Sequence, residues 1–298
     1  MDRFSPSEAA LEGFRLTRER PWTILAWTGF YFIGLTILFF AMLAVLGPSF
    51  RDMLERGDAS EVDAMSAILA KSPQLGPILI LAVFFNAIMV SGVFRLVLRP
   101  QDKGWAWLRI GADELRLTIV VLLLPLFIAA AVAFVDFAVI MVAQMTGAAR
   151  YAPVVVASLA LAITLWIGVR LSLAAPATFV RRRIAIAESW RLTRGHFWSL
   201  AGMIVLAVIF WIMVLLLVVI IGYAVVAMAG GVEAMENLSS LTPATLFALV
   251  FTYFVQILLL PVLQIVMIGG PLAIAYQQIA DEGEGSAPVE AAPAAPVA

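Results

Sequence analysis

The sequence predicts an all-α integral membrane protein with six transmembrane helices. Of its 298 residues, 63% are hydrophobic and 13% are charged, and the mean hydropathy is +1.02. Soluble proteins are about 45–50% apolar and about 25% charged. The apolar residues form six runs of about 20 residues or more, the length that a helix needs to cross a bilayer. One short charged pattern occurs three times before such runs, which predicts a chain built from three related units.

The apolar runs give the approximate bounds of the six spans. Proline is tolerated in the first turn of a helix, and Pro21 lies at that position of the first span. The third span is long for one crossing, so we expect it to tilt or protrude, with a kink at Pro125. In the sixth span, Thr242 is the expected N-cap, and Pro261 and Pro271 are further kink points. The predicted spans, within a single polytopic domain over 1–280, are 22–46, 77–98, 115–145, 153–180, 198–228 and 243–275.

Lysine and arginine are distributed unequally between the two predicted sides of the membrane. Cytoplasmic loops carry an excess of these residues. We therefore expect both termini, and the connections after spans two and four, to be cytoplasmic. Fifteen of the 19 basic residues lie in these segments: Arg3, Arg15, Arg18, Arg20, Arg95, Arg99, Lys103, Arg109, Arg116, Arg170, Arg181, Arg182, Arg183, Arg191 and Arg194.

Two further segments lie outside the predicted spans. Residues 48–76 form the one sizeable loop on the opposite side. There Ser60 and Asp63 resemble a helix start, and Val62, Met65 and Leu69 share a face, which predicts a short amphipathic surface helix. Residues 281–298 consist mainly of alanine, proline and acidic residues, so we expect a disordered tail.

The repeated pattern is an acidic residue, an arginine three positions later, and then Leu-Thr. It occurs as Glu12-Gly-Phe-Arg-Leu-Thr17, Asp113-Glu-Leu-Arg-Leu-Thr118 and Glu188-Ser-Trp-Arg-Leu-Thr193. Residues three apart are neighbours on one helix face. The flanking sequence is amphipathic and rich in tryptophan, which is typical of a helix in the membrane interface. We therefore expect three pseudo-repeated hairpins, each preceded by a cytoplasmic interfacial amphipathic helix.

A second correspondence connects spans two and four to the pattern copies that follow them. Arg95 precedes Asp113 by 18 residues, and Arg170 precedes Glu188 by the same distance. A charge near the membrane edge is tolerated when it is paired. The shared spacing predicts the ion pairs Arg95–Asp113 and Arg170–Glu188, each fastening the end of an even-numbered span to the next surface helix.

The same charged residues have a second interpretation, as a site for an anionic lipid headgroup. Basic clusters next to a membrane span attract acidic phospholipids. The sequence alone leaves both interpretations open. The candidates for a structural ion pair or for headgroup binding are Arg95, Asp113, Arg170, Arg181, Arg182, Arg183, Glu188 and Arg191.

Asp136 is the one acidic residue well inside a predicted span. An intramembrane carboxylate is energetically costly and is a functional candidate, for example as a proton carrier or a cation ligand. The third span is long enough to place Asp136 near the outer interface instead, where an acidic residue is tolerated.

The sequence contains no pattern typical of a catalytic or metal-binding site. It has no cysteine, and its single histidine, His196, follows the third copy at an expected surface position. We find no metal-ligand spacing, phosphate loop or nucleophile elbow. We therefore expect no enzymatic activity, no metal and no cofactor, and we attribute the arginines to membrane topology rather than to nucleic-acid binding.

Two stretches resemble a known bacterial family. Arg170-Leu-Ser-Leu-Ala-Ala-Pro-Ala and the following Ala187-Glu-Ser-Trp-Arg-Leu-Thr-Arg-Gly-His-Phe-Trp are similar to the membrane domain attached to some glycerophosphoryl diester phosphodiesterases, and to related six-helix inner-membrane proteins. Leu108-Arg-Ile-Gly-Ala-Asp-Glu-Leu-Arg-Leu is similar to segments of proteobacterial members. In that family the catalytic barrel is a separate soluble domain, so no catalytic residue carries over. The resemblance implies a bacterial inner (cytoplasmic) membrane and an association with lipid metabolism.

These observations lead to two hypotheses about function. The first is a non-enzymatic inner-membrane protein that binds or organises lipids, acidic phospholipid among them, or partner proteins, in envelope or lipid homeostasis. The alternative is a transporter or lipid-translocating protein with a polar path near Asp136, Arg95 and Arg170.

Overall fold

A computed structural model of the chain describes residues 5–56, 66, 68–102, 104–146, 149–231 and 242–285. These residues are almost entirely helical and contain no β-strand. A π-helix, Phe254–Leu259, joins the last two α-helices. The α-helices of the described residues are α1 (Pro6–Glu19), α2 (Pro21–Arg56), α3 (Ser72–Leu98), α4 (Ala112–Thr146), α5 (Ala152–Leu171), α6 (Ala174–Arg181), α7 (Ile186–Leu192), α8 (Phe197–Met228), α9 (Pro243–Tyr253) and α10 (Leu260–Gly285).

Among the described residues, six helical segments are long and apolar enough to cross a membrane, which confirms the predicted number and order of spans. The first helix, α2, continues to Arg56, ten residues beyond the predicted end of its span. The chain is therefore a multi-pass membrane protein. The six segments are Pro21–Ser49, Ser72–Leu98, Trp105–Thr146, Ala152–Arg181, Phe197–Met228 and Pro243–Glu282.

The sixth span shows two local features that the sequence indicated. The Thr242 hydroxyl accepts a hydrogen bond from the backbone N–H of Thr245 at 3.1 Å, which confirms the N-cap. Pro261 lies two residues after the last residue of the π-helix, Leu259. Proline lacks the backbone N–H, and its ring collides with the carbonyl four residues earlier, so the helix widens at this point.

The tail was predicted to be disordered from residue 281, and this prediction was wrong for its first five residues. Helix α10 continues to Gly285. Tyr276 and Ile279 in its preceding turns are buried, and Glu282 lies 3.2 Å from His196. Packing against other helices therefore holds the end of α10 in helical form. Residues 286–298 lie outside the described residues, as does most of the predicted surface helix over 60–69.

The buried side chains concentrate at one end of the molecule. We call it the arginine end; it comprises α1, α6 and α7, the N-termini of α2, α4 and α8, and the C-termini of α3, α5 and α10. Within the part of the chain that the structure describes, three clusters of buried apolar residues lie at or next to this end. Towards the other end large apolar side chains are exposed, as expected for a lipid-facing surface. Buried examples are Trp27, Phe94, Phe179, Leu200 and Met203, and exposed ones are Phe39, Phe40, Phe134 and Met213.

Helix α1 packs along α10 and α8. Its buried face includes Ala9, Glu12 and Gly13. A Cβ atom on Gly13 would lie 2.5 Å from the Cα of Met267, so only glycine allows the two backbones to come this close. The first copy of the charged pattern is therefore fixed against the last long helix.

Candidate functional site at the arginine end

The three copies of the charged pattern all lie at the arginine end, each beside the C-terminal part of an even-numbered span. The first copy, in α1, contacts α10; the second, in the first turns of α4, contacts α3; the third, in α7, contacts α5. The second copy does not form a separate surface helix, because α4 begins at Ala112 and continues without interruption to Thr146.

In the first two copies, the acid and the arginine three positions later form an ion pair. Arg15 Nη2 lies 2.9 Å from Glu12 Oε1, and Arg116 Nη1 lies 2.7 Å from Asp113 Oδ1. The arginine side chains are 57% and 34% exposed, and the acids less so, at 6% for Glu12 and 21% for Asp113. In these two copies the arginine therefore partly neutralises an acid that is packed against the protein.

In the third copy the acid has different partners. Glu188 lies 2.8 Å from Arg181 and 3.7 Å from Arg183, whereas Arg191 is exposed and has no ion pair among the described residues. The reason is local backbone geometry. Arg182 adopts a left-handed conformation, with φ of 53°, which ends α6 and turns the chain so that both flanking arginines reach α7.

Arg95 forms a buried ion pair. Its Nη2 lies 2.5 Å from Oε1 of Glu114, and the two side chains are only 4% and 1% exposed. The Ser91 hydroxyl donates to the same carboxylate oxygen at 2.9 Å, and Arg95 Nη1 donates to the Trp107 carbonyl at 2.6 Å. The charges and their hydrogen bonds are thus satisfied inside the protein, as a buried pair requires.

The predicted pairing of Arg95 with Asp113 was wrong by one residue. Consecutive helical residues are separated by about 100° around the axis. Glu114 faces α3 and meets Arg95, whereas Asp113 contacts Arg99 at 3.8 Å as well as Arg116. The predicted role as a structural ion pair is therefore correct for Arg95, but the partner is different.

The predicted pairing of Arg170 with Glu188 was also wrong. The Arg170 guanidinium lies over the rings of Trp190 and Phe197, with its central carbon 5.7 Å from each ring centroid. Its Nη1 donates to the Thr193 hydroxyl at a long 3.5 Å. Its Nε is buried and has no hydrogen-bond partner among the described residues.

Ser189 occupies the place next to Arg170 that Glu114 occupies next to Arg95. The sequence separation is 19 residues in both cases. The Ser189 hydroxyl donates to the backbone carbonyl of Arg170 at 2.9 Å, so it does not compensate the guanidinium charge.

A polar cleft of about 460 Å³ lies beside the start of α4. Its rim carries Arg109, which is 68% exposed and 4.0 Å from Asp102. Arg182 is exposed and has no ion pair among the described residues. The cleft therefore combines a basic rim with an inner wall formed by satisfied ion pairs. Its lining includes Arg95, Asp102, Arg109, Asp113, Glu114, Arg116 and Arg182.

An apolar groove of about 730 Å³ follows the cleft along the same side of α4. Arg116 precedes Leu123 by seven residues, so it lies on the same helix face, about 10 Å nearer the arginine end. The basic cleft and the apolar groove therefore lie one after the other on this face of α4. Lining residues include Leu123, Phe127 and Ala130 of α4, Leu171 of α5, and Ala187 and Trp190 of α7.

Asp136 lies apart from the cleft. It follows Glu114 on α4 by 22 residues, or about 33 Å along the helix axis. Because Glu114 contacts Arg95, Arg95 and Asp136 do not share one site, and no ion pair joins Asp136 to Arg170. The Oδ1 atom of Asp136 is buried without a hydrogen-bond partner among the described residues.

The sequence contains a signal for the burial of Glu114. Glu114, Leu117 and Thr118 are spaced as neighbours on one helix face, and all three are buried. No sequence pattern indicated the groove, because the groove depends on how α7 packs beside α4. Among the described residues, no group of three acidic or histidine side chains could hold a metal ion.

No protein-family model, no curated protein and no solved structure matches this chain, so its resemblance to the phosphodiesterase membrane-domain family stays a prediction.

Proposed function

We propose that this chain is a non-enzymatic bacterial inner-membrane protein that binds acidic phospholipid at its arginine end. The observation that carries the proposal is the placement of the basic cleft and the apolar groove one after the other along one face of α4. A phospholipid has a matching arrangement, with an anionic phosphate at one end and apolar acyl chains beyond it.

The cleft offers arginines whose guanidinium groups are accessible to a phosphate. Arg109 and Arg182 are exposed on its rim, and Arg116 is partly exposed. The guanidinium group matches the geometry of a phosphate, which it binds through two parallel hydrogen bonds. Arg95 takes no part, because Glu114 and the Trp107 carbonyl already occupy its donors.

The groove suits an acyl chain. Its lining is almost entirely apolar, and Trp190 lies at the end near the arginines. Tryptophan prefers the boundary between headgroups and hydrocarbon. A bound lipid would therefore have its phosphate at the cleft and its chains within the hydrocarbon, beside α4 and α7.

The proposal includes an orientation and an internal symmetry. The excess of arginine supports a cytoplasmic location for the arginine end and both termini. Three contacts support three pseudo-repeated hairpins around an axis along the membrane normal: α4 with α3, α7 with α5, and α1 with α10. The contact of α1 with α10 connects the first hairpin to the last.

Mass spectrometry of the lipids that co-purify in mild detergent tests the proposal. Wild type should be enriched in acidic phospholipid relative to the bulk membrane, and Arg109→Gln with Arg182→Gln should lose the enrichment. The matched control is Arg18→Gln with Arg194→Gln, two exposed arginines outside the cleft. Equal enrichment in both double variants would refute the headgroup site.

A second pair of variants tests the groove. Ala130→Trp places a large ring among the groove residues, whereas the adjacent, exposed Ala129 points away from them. We expect Ala130→Trp to reduce the co-purified lipid and Ala129→Trp to retain it. The same lipid content in both variants would remove the groove from the proposal.

The second candidate function is transport of a proton or another cation, and the orphaned Oδ1 of Asp136 favours it. A buried carboxylate oxygen without a donor is poised to take a proton or a cation. Proteoliposomes with an internal pH dye would show proton flux that Asp136→Asn abolishes. Absence of flux in wild type, or equal flux in both, would exclude proton transport through Asp136.

A further inference from the structure

We propose that Arg170 is a second anion-binding site, which accepts one phosphate-bearing group from outside the chain. The inference does not rest on the polar cleft, because Arg170 is not among the residues that line it. It rests on a comparison of Arg170 with Arg95, the arginine that occupies the same position in the preceding unit of the sequence.

Both arginines lie in the last turn of a helix, α3 or α5, and face the next copy of the charged pattern, but only one meets an acid. Arg95 meets Glu114, and Arg170 meets Ser189 at the equivalent separation. A half-buried cation without a counter-ion is unfavourable, and an anion from outside removes the penalty. Arg170 is thus a half-buried cation that lacks an acidic partner among the described residues.

No other acid within the described residues compensates Arg170. Glu188, the acid of the neighbouring copy, is held by Arg181 and Arg183. The hydroxyl of Thr193 is a neutral and distant acceptor at 3.5 Å. The positive charge of Arg170 therefore remains available for an anion.

The surroundings of Arg170 hold its guanidinium ready for a ligand. Trp190 and Phe197 both stack on it. Stacking holds the face of a guanidinium while leaving the donors on its edge for hydrogen bonds. Trp190 also lines the apolar groove, so an anionic group carried by a lipid can reach this position from the bilayer.

The phosphate has two sources, a lipid headgroup or a free phosphate ion, and two measurements of thermal unfolding separate them. One adds inorganic phosphate to the protein in neutral detergent, with chloride at equal ionic strength as reference. The other compares nanodiscs of phosphatidylcholine with nanodiscs that also contain phosphatidylglycerol. A shift only with phosphatidylglycerol identifies a headgroup, and a shift with phosphate as well identifies a general phosphate site.

In Arg170→Gln, the rise in the thermal unfolding midpoint that the anion causes at this site should disappear. The affinity for the anion should fall by about tenfold or more. Arg191→Gln, an exposed arginine on α7, is the matched control and should keep this rise. The double variant of the cleft, at Arg109 and Arg182, should also keep it, which separates this site from the proposed function. An unchanged shift in Arg170→Gln, or no shift in wild type, would overturn the proposal.

Ser189→Glu provides a complementary test by supplying the missing acid from within. It should raise the midpoint in the absence of anion and remove the response to phosphate or phosphatidylglycerol. A folded Ser189→Glu protein that still responds like wild type would contradict the proposal. Should the larger side chain prevent folding at this buried position, Arg170→Gln and its control decide the outcome.

Discussion

Two junctions at the arginine end use the same sequence register but are completed differently. At the Arg95 junction, formed by Arg95 and Glu114, an arginine at the end of α3 meets a buried carboxylate of α4. At the Arg170 junction, formed by Arg170 and Ser189, an arginine at the end of α5 meets the hydroxyl groups of Ser189 and Thr193 and the ring of Trp190, but no acid among the described residues. The shared spacing fixes where the arginine lies, and one residue decides whether its charge is neutralised within the protein.

The first copy of the pattern shows a third solution at the same position. The residue after the acid is Glu114 in the second copy, Ser189 in the third and Gly13 in the first. Gly13 lies directly against Met267 of α10, where any side chain would collide. The three copies thus join a helix to the end of an even-numbered span by an ion pair, by hydroxyl groups and by backbone contact.

The largest expected effect is at the Arg95 junction. Glu114→Gln leaves the buried guanidinium of Arg95 without a counter-charge, which should destabilise the protein by about 3–5 kcal/mol. Denaturant unfolding in detergent measures the change. The control is Asp113→Asn, which removes a partly exposed pair and should cost about 1 kcal/mol or less. Similar losses in the two variants would show that burial of the Arg95 pair is not decisive.

At the junction of α1 with α10, adding even one methyl group at Gly13 should destabilise the protein. Gly13→Ala forces the backbones apart, with a cost of about 1–3 kcal/mol. Gly29→Ala is the matched control, since nothing lies within 4 Å of the added atom. It should be neutral or slightly stabilising, because alanine favours helix over glycine. A tolerated Gly13→Ala, measured by the same unfolding experiment, would mean that α1 is not tightly docked.

The Arg170 junction should show almost no coupling to Glu188, in contrast to what the sequence spacing predicts. Arg170→Ala and Glu188→Ala should have additive effects on the unfolding free energy, within about 0.5 kcal/mol, because the side chains do not contact each other. The parallel cycle at Arg95 and Glu114 should be strongly non-additive. A large coupling between Arg170 and Glu188 would restore the original pairing.

The smallest effect concerns pH and the first copy of the pattern. Burial raises the pKa of Glu12 above its usual value of 4.5, while the charge of Arg15 opposes this shift. Because the folded state holds the proton more tightly than the unfolded chain, this contribution to stability is fully present below pH 4.5 and is lost as pH rises through the raised pKa.

Glu12→Gln should therefore reduce the pH dependence of the unfolding midpoint in this window. The exposed Glu8→Gln is the control and should leave the pH profile close to wild type. An unchanged profile in Glu12→Gln would show that burial does not affect this carboxyl group.

Most of the long helices could be predicted because the signal for a membrane span is local. An apolar run of about 20 residues has one stable arrangement in lipid, a helix that satisfies its own backbone hydrogen bonds. Thr242 was predictable as an N-cap for a similar reason, since its hydroxyl bonds a backbone N–H only three residues away. The helical continuation of α10 to Gly285 was not predictable, because contacts with distant residues such as His196 accompany it.

The sequence by itself determined the number of spans, the accumulation of arginine at one end and the repeated register that places Arg95 and Arg170. Only the tertiary structure decided that Arg95 pairs with Glu114, that Glu188 pairs with Arg181 and Arg183, and that Arg170 has no acidic partner among the described residues. Hydropathy and residue spacing are local properties that can be read directly from the sequence. The partner of a charge depends instead on which helix face meets a neighbour, and each residue turns that face by about 100°.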